Sequence, residues 1–187
     1  GLGEVGARLA NLRSLLALHW TWPAKKTPFM GCEFGQWKEW DCDNQLDWSL
    51  LEFPIHAGLQ KLVADLNHLY LTHSTWSDSD HQGDKFHWID CDDATGQTLS
   101  FIKYGENPGD TLLIACNFSD QLCHRDWGCP HEGEWRVILD TDSSDYGGEG
   151  ASGASEFHSF PEPRNGHSNG LSFPVARWSV RILKLRK

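Results

Sequence analysis

Apolar residues recur at steps of three and four positions in two stretches of the first half of the chain. The first stripe consists of Leu9, Leu12, Leu15, Leu16 and Trp20, and the second of Leu59, Leu62, Val63, Leu66 and Leu69. This spacing places each set on one face of a helix and predicts helices over residues 4–22 and 54–71. Pro23 ends the first helix, and Pro54 suits the first turn of the second.

A short apolar run, residues 27–30, lies between the two predicted helices and is followed by Gly31. The order of helix, loop, strand and glycine loop is typical of an α/β unit, so we predict a buried strand here. Two helices and one strand cannot close a parallel sheet, because such a strand needs neighbours on both sides. We therefore interpret residues 1–74 as the end of a larger α/β domain.

Beyond residue 72 the apolar positions alternate with polar ones, which is the period of β-strands. The predicted strands cover residues 85–91, 97–104, 111–118, 122–128, 134–140 and 178–185, with a weaker one near 171–173. Short strands separated by turns rich in Asp, Asn and Gly predict an antiparallel sandwich over residues 75–187. The Gly- and Ser-rich stretch 141–170 is expected to form a long loop, ordered or mobile. The predicted fold class is therefore α+β.

The chain has 187 residues, and its 26 acidic and 16 basic side chains give a net charge of −10. This balance argues against nucleic acid and anionic membrane as main partners, since both require clustered Lys and Arg. No apolar run approaches the roughly 18 residues of a membrane-spanning helix. The composition is that of an ordinary globular protein.

Six cysteines occur without any C-x-x-C pair, which argues against a zinc ribbon or a redox motif. A chain of this length with so few cysteines is not a disulfide scaffold, so we predict free thiols in a reducing compartment. The tightest group, Cys123, His124, Cys129 and His131, has a spacing that fits no common zinc site. We interpret it as a chance cluster and assign no role to Cys116, Cys123 or Cys129.

Ten tryptophans against one methionine are an unusual content. Each indole has a large flat apolar face, which suits stacking on sugar rings. Tryptophan is also highly buried on average and fills the cores of small β domains. Both interpretations stay open at this point.

The segment from Phe29 to Trp37, FMGCEFGQW, resembles the segment at the last barrel strand of glycogen branching enzymes, the 1,4-α-glucan branching members of the α-amylase superfamily. Other segments that match this family, in chain order, are residues 10–13, 23–26, 46–48, 58–63, 65–67, 86–90, 117–119, 135–142 and 146–148. The resemblance covers about residues 8–185. It implies that residues 1–74 are the end of a (β/α)8 barrel, with two helices and one strand. Residues 75–187 would then form an all-β sandwich of the α-amylase C-terminal type.

The resemblance also implies a reaction, in which an α-1,4-glucan chain is cut and the piece is rejoined through an α-1,6 bond. Such retaining chemistry needs two carboxylates about 5 Å apart, and in this family they lie on earlier barrel strands. No His-Asp dipeptide, which carries a third carboxylate in the family, precedes Phe29. We therefore assign no catalytic residue, cofactor or metal to this chain, and expect a cytoplasmic parent enzyme to supply the chemistry.

The loop that begins at Glu33 lies, by the same resemblance, at the rim of the catalytic face. Glu33 and Gln36 are candidates to bond a sugar hydroxyl or to orient a neighbouring catalytic group. Candidates to stack on glucose rings are Trp37, Trp40 and Trp48. The expected partner is an α-1,4-glucan such as glycogen or amylose. The alternative is that Glu33 is a structural acid and that the tryptophans pack against other rim loops.

Two further hypotheses belong to other classes of protein. A non-catalytic glucan-binding module would expose sandwich tryptophans such as Trp76, Trp88 or Trp127, whereas a structural remnant would have no ligand site. A debranching or trehalose-forming hydrolase of the same superfamily is another alternative. Residues 1–72 should expose apolar faces that the missing N-terminal part of the barrel would cover, so we predict self-association or a loosely held first helix.

Overall fold

The computed structural model describes residues 3–186 of the chain. Its helices are α1 (Glu4–Thr21), α2 (Pro54–Thr72) and the short α3 (Ser74–Asp78). Its strands are β1 (Phe86–Asp90), β2 (Thr98–Lys103), β3 (Leu112–Asn117), β4 (Cys123–Cys129), β5 (Glu134–Asp140), β6 (Glu156–His158), β7 (Asn169–Val175) and β8 (Ser179–Leu185). Both long helices that the apolar stripes predict are confirmed.

The strands form two sheets in which every neighbouring pair is antiparallel. The larger sheet has the order β1-β2-β3-β8-β5-β6, and the smaller consists of β4 and β7. The sheets pack face to face over an apolar core that includes Ile102, Leu113, Trp127, Trp135, Leu171, Phe173 and Leu183. The predicted antiparallel sandwich is therefore confirmed.

Strand β3 shows how the layers are arranged, because all of its residues are buried. Leu113 and Ala115 join the core between the sheets, whereas Leu112, Ile114 and Cys116 join a second core beneath the helices. Alternate residues of a strand point to opposite faces, so a central strand that is covered on both sides has no polar face. The molecule thus has three layers: the helices, the large sheet and the small sheet.

Helices α1 and α2 pack on each other and on the outer face of the large sheet. Their buried contact residues include Leu9, Leu16, Trp20, Leu59, Leu62 and Leu66. The Trp20 indole N–H donates a 3.0 Å hydrogen bond to the side-chain oxygen of Asn67, which ties the two helices together. Phe101 and Ile182 of the sheet belong to the same core, so the helices and the large sheet form one packed unit. A domain boundary between residues 74 and 75 stays a prediction.

The segment 141–148, here called the docking loop, connects the end of β5 with the helices. The buried Arg13 of α1 donates from Nε to the Thr141 carbonyl at 2.9 Å. The Tyr146 hydroxyl donates to the Asp65 carboxylate of α2 at 2.8 Å. Desolvation raises the pKa of Tyr146, and its hydrogen bond to Asp65 raises it further, so the hydroxyl stays a donor. These contacts fix the orientation of the sheet on the helices.

We expect Tyr146→Phe to lower the free energy of unfolding by about 1 kcal/mol, because it removes one hydrogen bond and keeps the ring. Tyr104→Phe is the matched control, since the Tyr104 hydroxyl has no hydrogen-bond partner within residues 3–186. Urea titration followed by circular dichroism compares the two variants. Equal stabilities would show that the bond from Tyr146 to Asp65 contributes nothing.

The strand predicted for residues 27–30 is absent, and that prediction was wrong. The segment is irregular, and the Phe29 and Met30 side chains are each 57% exposed. A parallel strand requires hydrogen-bonding neighbours, and residues 3–186 place none beside this segment. The two helices are present without the strand between them, and the assignment of residues 1–74 to the end of a barrel stays a prediction.

Residues 141–170, expected to form a long loop, contain more regular structure than the sequence predicts. They include a 3₁₀ turn at Ser144–Tyr146 and the short strand β6, which pairs with β5 at the edge of the large sheet. Strand β7 also runs longer than the predicted residues 171–173. Gly- and Ser-rich stretches lack the alternating apolar positions that identify strands, so these pairings leave little signal in the sequence.

Exposed apolar side chains are concentrated in the helical part of the chain. Of the twelve large apolar side chains that are exposed within residues 3–186, ten lie before residue 73. They are Val5, Leu15, Trp22, Phe29, Met30, Trp37, Trp40, Trp48, Phe53 and Leu71. This exposure agrees with the expectation for residues 1–72, whereas association of the chain with itself stays a prediction.

All six cysteines are unpaired. Burial raises the pKa of the Cys129 thiol to about 11, so this thiol stays protonated at neutral pH. No helix within residues 3–186 combines the length and the apolar character that a membrane crossing requires.

Candidate functional site

The candidate site lies on the loop between α1 and α2, at residues 31–49, here called the rim loop. Its first turn is the 3₁₀ helix Cys32–Phe34, flanked by Gly31 and Gly35 with φ angles of 86° and 69°. Glycine adopts such angles without strain, so both residues permit the sharp reversal of the chain. A Cβ on Gly35 would lie 3.0 Å from a methyl group of Leu59, which shows that the turn rests directly on α2.

His56, in the first turn of α2, supports the rim loop from below. It is 3% exposed, and its Nδ1 donates to the Phe34 carbonyl oxygen at 2.7 Å. The buried Phe34 ring packs against Trp48 with 5.2 Å between the ring centroids. The His56 ring meets Trp37 edge-on, with 5.6 Å between centroids. Both tryptophans therefore rest on groups that α2 holds in place.

The Gln36 side chain closes the rim loop on itself. Its Nε2 donates to the Lys38 carbonyl at 3.0 Å, and its Oε1 accepts the N–H of Asp47 at 2.8 Å. The amide thus brings the two ends of the loop together and forms part of its frame. A direct bond from Gln36 to a sugar hydroxyl stays a prediction.

The three candidate stacking residues all present indole surface to solvent. Trp37, Trp40 and Trp48 are 47%, 43% and 48% exposed. Trp40 packs edge-on against Phe29, with 5.6 Å between centroids. Each indole is therefore held by a neighbouring ring and still open to solvent, which is what an aromatic platform for a flat ligand requires.

Glu33 is the candidate residue whose carboxylate has no hydrogen-bond or ion-pair partner within residues 3–186. It is half-buried in the turn Cys32–Phe34, and residues 3–186 give it no hydrogen bond and no ion pair. Because Glu33 is only half-buried, solvent can satisfy its carboxylate, and none of the described residues uses it as a structural partner. The carboxylate is free to accept a bond from a ligand or from another part of the protein.

Beside these residues the rim loop surrounds a polar cleft of about 580 Å³. Its lining includes Asp41, Asn44, Gln45, Asp47 and Trp48. The Asp41 carboxylate accepts hydrogen bonds from the Asp43 N–H and the Asn44 side chain, and both bonds lower the pKa of Asp41. Carboxylates and amides next to an indole suit a neutral ligand that has hydroxyl groups and an apolar face.

A second groove, apolar and about 600 Å³ in volume, lies between the end of α1 and the edge of the large sheet. Trp22 and Trp88 line it with their ring centroids 5.6 Å apart, and they are 39% and 40% exposed. His19 and Lys25 add polar groups to the lining. The sequence pointed to Trp88 but not to Trp22, because a tryptophan at a helix end next to Pro23 carries no functional signal of its own.

Two tryptophans expected on the surface of a glucan-binding sandwich are buried. Trp76 and Trp127 are both 0% exposed, so the exposure that the hypothesis of a glucan-binding module predicts is absent at both residues. Trp127 stacks on Phe173 and donates to the Phe173 carbonyl at 3.1 Å. The gap of about 10 Å between packed sheets is filled by large inward side chains, which accounts for Trp127.

Within residues 3–186 the potential metal ligands do not form a preorganised metal-binding site. The cysteine and histidine cluster of residues 123–131 does not bring three ligand atoms together. Asp41, Cys42 and Asp43 do approach within 4.8 Å of one another, but all three are exposed and the Asp41 carboxylate serves the turn of its own loop.

Two packed antiparallel sheets, with a pair of helices packed on the outer face of the larger one, define this chain as an all-β domain with a helical layer. The sequence profile of the family described as alpha amylase, C-terminal all-beta domain, matches residues 88–186, and the chain belongs to that family. The matched region runs from β1 to the residue after β8, so it comprises nearly the whole sandwich.

Curated relatives extend the similarity into the helices. The 1,4-alpha-glucan branching enzyme GlgB of Rhodospirillum rubrum is 41% identical over 183 residues, which are 97% of this chain and 25% of that protein. The 1,4-alpha-glucan branching enzyme GlgB of Bordetella pertussis is 43% identical over 184 residues, again 97% of this chain and 25% of that protein. The chain thus spans about a quarter of the length of these relatives. The resemblance to branching enzymes is confirmed.

A solved structure shares the fold at much lower sequence identity. The debranching enzyme from Nostoc punctiforme superposes with a TM-score of 0.65 and 15% identity, over 94% of this chain and 31% of that one. At this identity the likeness concerns the fold alone.

Proposed function

We propose that this chain is the C-terminal part of a 1,4-α-glucan branching enzyme, which transfers an α-1,4-glucan segment to form an α-1,6 branch in glycogen biosynthesis. Identity of 41% over 97% of the chain, running through helices and sandwich alike, supports the assignment. The catalytic carboxylates belong to barrel strands outside this segment. Residues 1–187 therefore contribute substrate contacts and a scaffold, and are inactive by themselves.

The observation that carries the proposal is the rim loop. It combines three half-exposed indoles with a carboxylate that lacks a partner within residues 3–186, next to a cleft lined by acids and amides. A glucose ring offers an apolar face to an indole and hydroxyl groups to carboxylates and amides. The rim loop therefore binds the α-glucan close to the catalytic centre that the rest of the barrel supplies.

In the whole enzyme, the remaining barrel covers the exposed apolar faces of α1 and α2. Leu15 and Leu71 are 58% and 81% exposed, and burying a leucine side chain fully contributes about 1.5–3 kcal/mol. The remaining barrel also supplies the neighbouring strands with which the segment 27–30 pairs. We place the enzyme in the cytoplasm, where the six unpaired thiols stay reduced.

A second candidate function is binding of α-glucan by the β domain itself, without a catalytic role. The groove at Trp22 and Trp88 favours it, because two half-exposed indoles stand 5.6 Å apart beside His19 and Lys25. This surface shares no lining residue with the cleft of the rim loop. The two sites can therefore be tested separately.

Tryptophan fluorescence of the chain titrated with maltoheptaose tests both candidates. We expect a saturable change in the millimolar range, which corresponds to about −4 kcal/mol. Trp48→Ala should weaken binding about fivefold, because one aromatic stacking contact contributes on the order of 1 kcal/mol. Trp88→Ala should leave the affinity unchanged. Cellohexaose, whose linkages are β, serves as the ligand control.

Loss of binding in Trp88→Ala but not in Trp48→Ala would assign glucan binding to the β domain. No response to maltoheptaose up to about 10 mM would show that this chain is scaffold only. Urea midpoints of both variants identify any loss of binding that comes from unfolding.

A further inference from the structure

We propose that His56 is the positioning residue of the rim loop, holding Trp37 and Trp48 in the orientation that meets an α-glucan. The inference rests on the proposed function of the rim loop, and it names the group that sets the geometry of its binding face. His56 itself is 3% exposed, so it acts through the two tryptophans and does not touch the ligand.

His56 belongs to a rigid part of the molecule. It lies in the first turn of α2, whose inner face is formed by Leu59, Leu62 and Leu66, each 0% exposed. A side chain that starts from such a packed helix has little freedom to move. The rim loop, by contrast, has no helix or strand of its own beyond short 3₁₀ turns. A fixed imidazole below the loop therefore limits how the loop can move.

The imidazole makes one hydrogen bond and two ring contacts, and one of the rings is Phe53, with 6.5 Å between centroids. The hydrogen bond and the other ring contact each lead to a different tryptophan. Its Nδ1 donates to the Phe34 carbonyl at 2.7 Å, and Phe34 packs under Trp48 at 5.2 Å. Its ring edge meets Trp37 at 5.6 Å with the planes 82° apart. Because a carbonyl oxygen only accepts, Nδ1 carries a proton in this contact. One side chain thus determines the placement of both indoles.

The flanking glycines explain why the loop needs such a support. Gly31 and Gly35 both have positive φ angles, so the turn Cys32–Phe34 lies between two residues with wide backbone freedom. The hydrogen bond from His56 fixes the Phe34 carbonyl and with it the tilt of that turn. The Gln36 side chain bonds to Lys38 and Asp47, and its backbone N–H donates to the Gly31 carbonyl at 2.9 Å. None of these bonds holds the Phe34 carbonyl.

Two substitutions separate the contacts of the imidazole. His56→Phe keeps a ring against Trp37 and removes the donor, whereas His56→Asn keeps a donor near the position of Nδ1 and removes the ring. His68→Phe is the matched control, since His68 lies on the same helix and is exposed. The protein is labelled with fluorotryptophan, and Trp37→Phe and Trp48→Phe assign the two fluorine resonances.

We expect His56→Phe to shift and broaden the Trp48 resonance and to weaken maltoheptaose binding about tenfold. His56→Asn should restore the Trp48 resonance and move the Trp37 resonance instead. His68→Phe should change neither. The restoration by asparagine distinguishes positioning from a general loss of stability, which would move both resonances in both variants.

The inference is overturned if both resonances and the maltoheptaose affinity are the same in His56→Phe as in the parent chain. It is also overturned if His56→Asn disturbs Trp48 as much as His56→Phe does. If the parent chain binds no maltoheptaose while the two resonances respond as expected, the proposed function fails and the positioning role of His56 stands. Should His56→Phe fail to fold, the Trp37 and Trp48 resonances of His56→Asn decide the question alone.

Discussion

Replacing Gly58 by alanine is expected to destabilise the protein by about 3 kcal/mol. A Cβ on this residue would lie 2.6 Å from the carbonyl carbon of Tyr146, 2.8 Å from its oxygen and 2.9 Å from the nitrogen of Gly147. All three are backbone atoms of the docking loop, so no side-chain rotation relieves the overlap. Helix α2 must move away from the loop, and the hydrogen bond between Tyr146 and Asp65 is strained or lost.

Helix propensity acts in the opposite direction, which makes the Gly58→Ala test sharper. Alanine stabilises a helix by about 1 kcal/mol relative to glycine. A variant more stable than the parent chain would therefore mean that the docking loop moves aside at no energetic cost. Gly83→Ala is the matched control, because nothing lies within 4 Å of a Cβ built there. Urea unfolding of both variants measures the difference. A Gly58→Ala variant as stable as Gly83→Ala would refute close docking of the loop on α2.

A stability that rises with pH is the second large effect we expect, and its source is Lys103. The side chain is 0% exposed, and its Nζ donates to the Trp76 carbonyl at 2.8 Å. Asp80 lies 4.0 Å away, but it is closer to Lys26, at 3.2 Å, and accepts the Tyr70 hydroxyl at 2.8 Å. The single Asp80 carboxylate is therefore shared by the ammonium groups of Lys26 and Lys103. Desolvation lowers the pKa of Lys103 from 10.5 to about 7, with Asp80 opposing and Lys26 adding to the change.

The sign of the pH dependence follows from where the proton is held. Between about pH 7 and 10.5 the unfolded chain keeps the Lys103 proton, whereas the folded chain has released it. The unfolded state binds more protons, so stability rises with pH in this window and falls again as the pH returns to 7. From about pH 7 to about pH 8.5 the expected gain is about 1–2 kcal/mol. Above pH 9 the buried Cys116 and Cys129 thiols oppose the gain, because burial raises the pKa of both.

Lys103→Met should abolish the rise in stability between about pH 7 and about pH 8.5, since methionine has no proton to release. Lys38→Met is the matched control, because the Lys38 side chain is 79% exposed and should leave the slope unchanged. Urea titrations at several pH values across the window give the free energy of unfolding for each chain. A parent chain whose stability does not change with pH, or a Lys103→Met chain that keeps the slope, contradicts the prediction.

The parts of the fold that the sequence predicts are those set by local periodicity. The stripes around Leu16 and Leu62 gave both helices, because one packed face is enough to fix the period of a helix. The apolar run in β3 predicted a strand but not its surroundings, since both of its faces are buried and the helices that cover one face lie far away in sequence. The prediction of a strand at residues 27–30 was wrong because an apolar run alone does not show whether hydrogen-bonding neighbours are present, and residues 3–186 supply none.

The chemistry of the candidate site was predictable only at the level of residue type. The string FMGCEFGQW identified Glu33, Gln36 and Trp37, yet nothing in it shows that Gln36 closes its own loop or that Glu33 lacks a partner. The sequence did not identify His56 as a functional residue, because a single histidine on the apolar face of a helix is usually a packing residue. Its contact with Phe34 joins residues 22 positions apart and exists only in three dimensions.

Strand β8 lies in the middle of the large sheet, hydrogen-bonded to β3 on one side and to β5 on the other. During translation, the two halves of the large sheet, β1-β2-β3 and β5-β6, are therefore synthesised before β8, the strand that lies between them. Ile182 and Leu183 of β8 enter the helix-side core and the inter-sheet core respectively, so both stay incomplete until this point of translation. A nascent chain that still lacks β8 therefore exposes apolar surface of both cores, and the pairing of β8 closes both cores together.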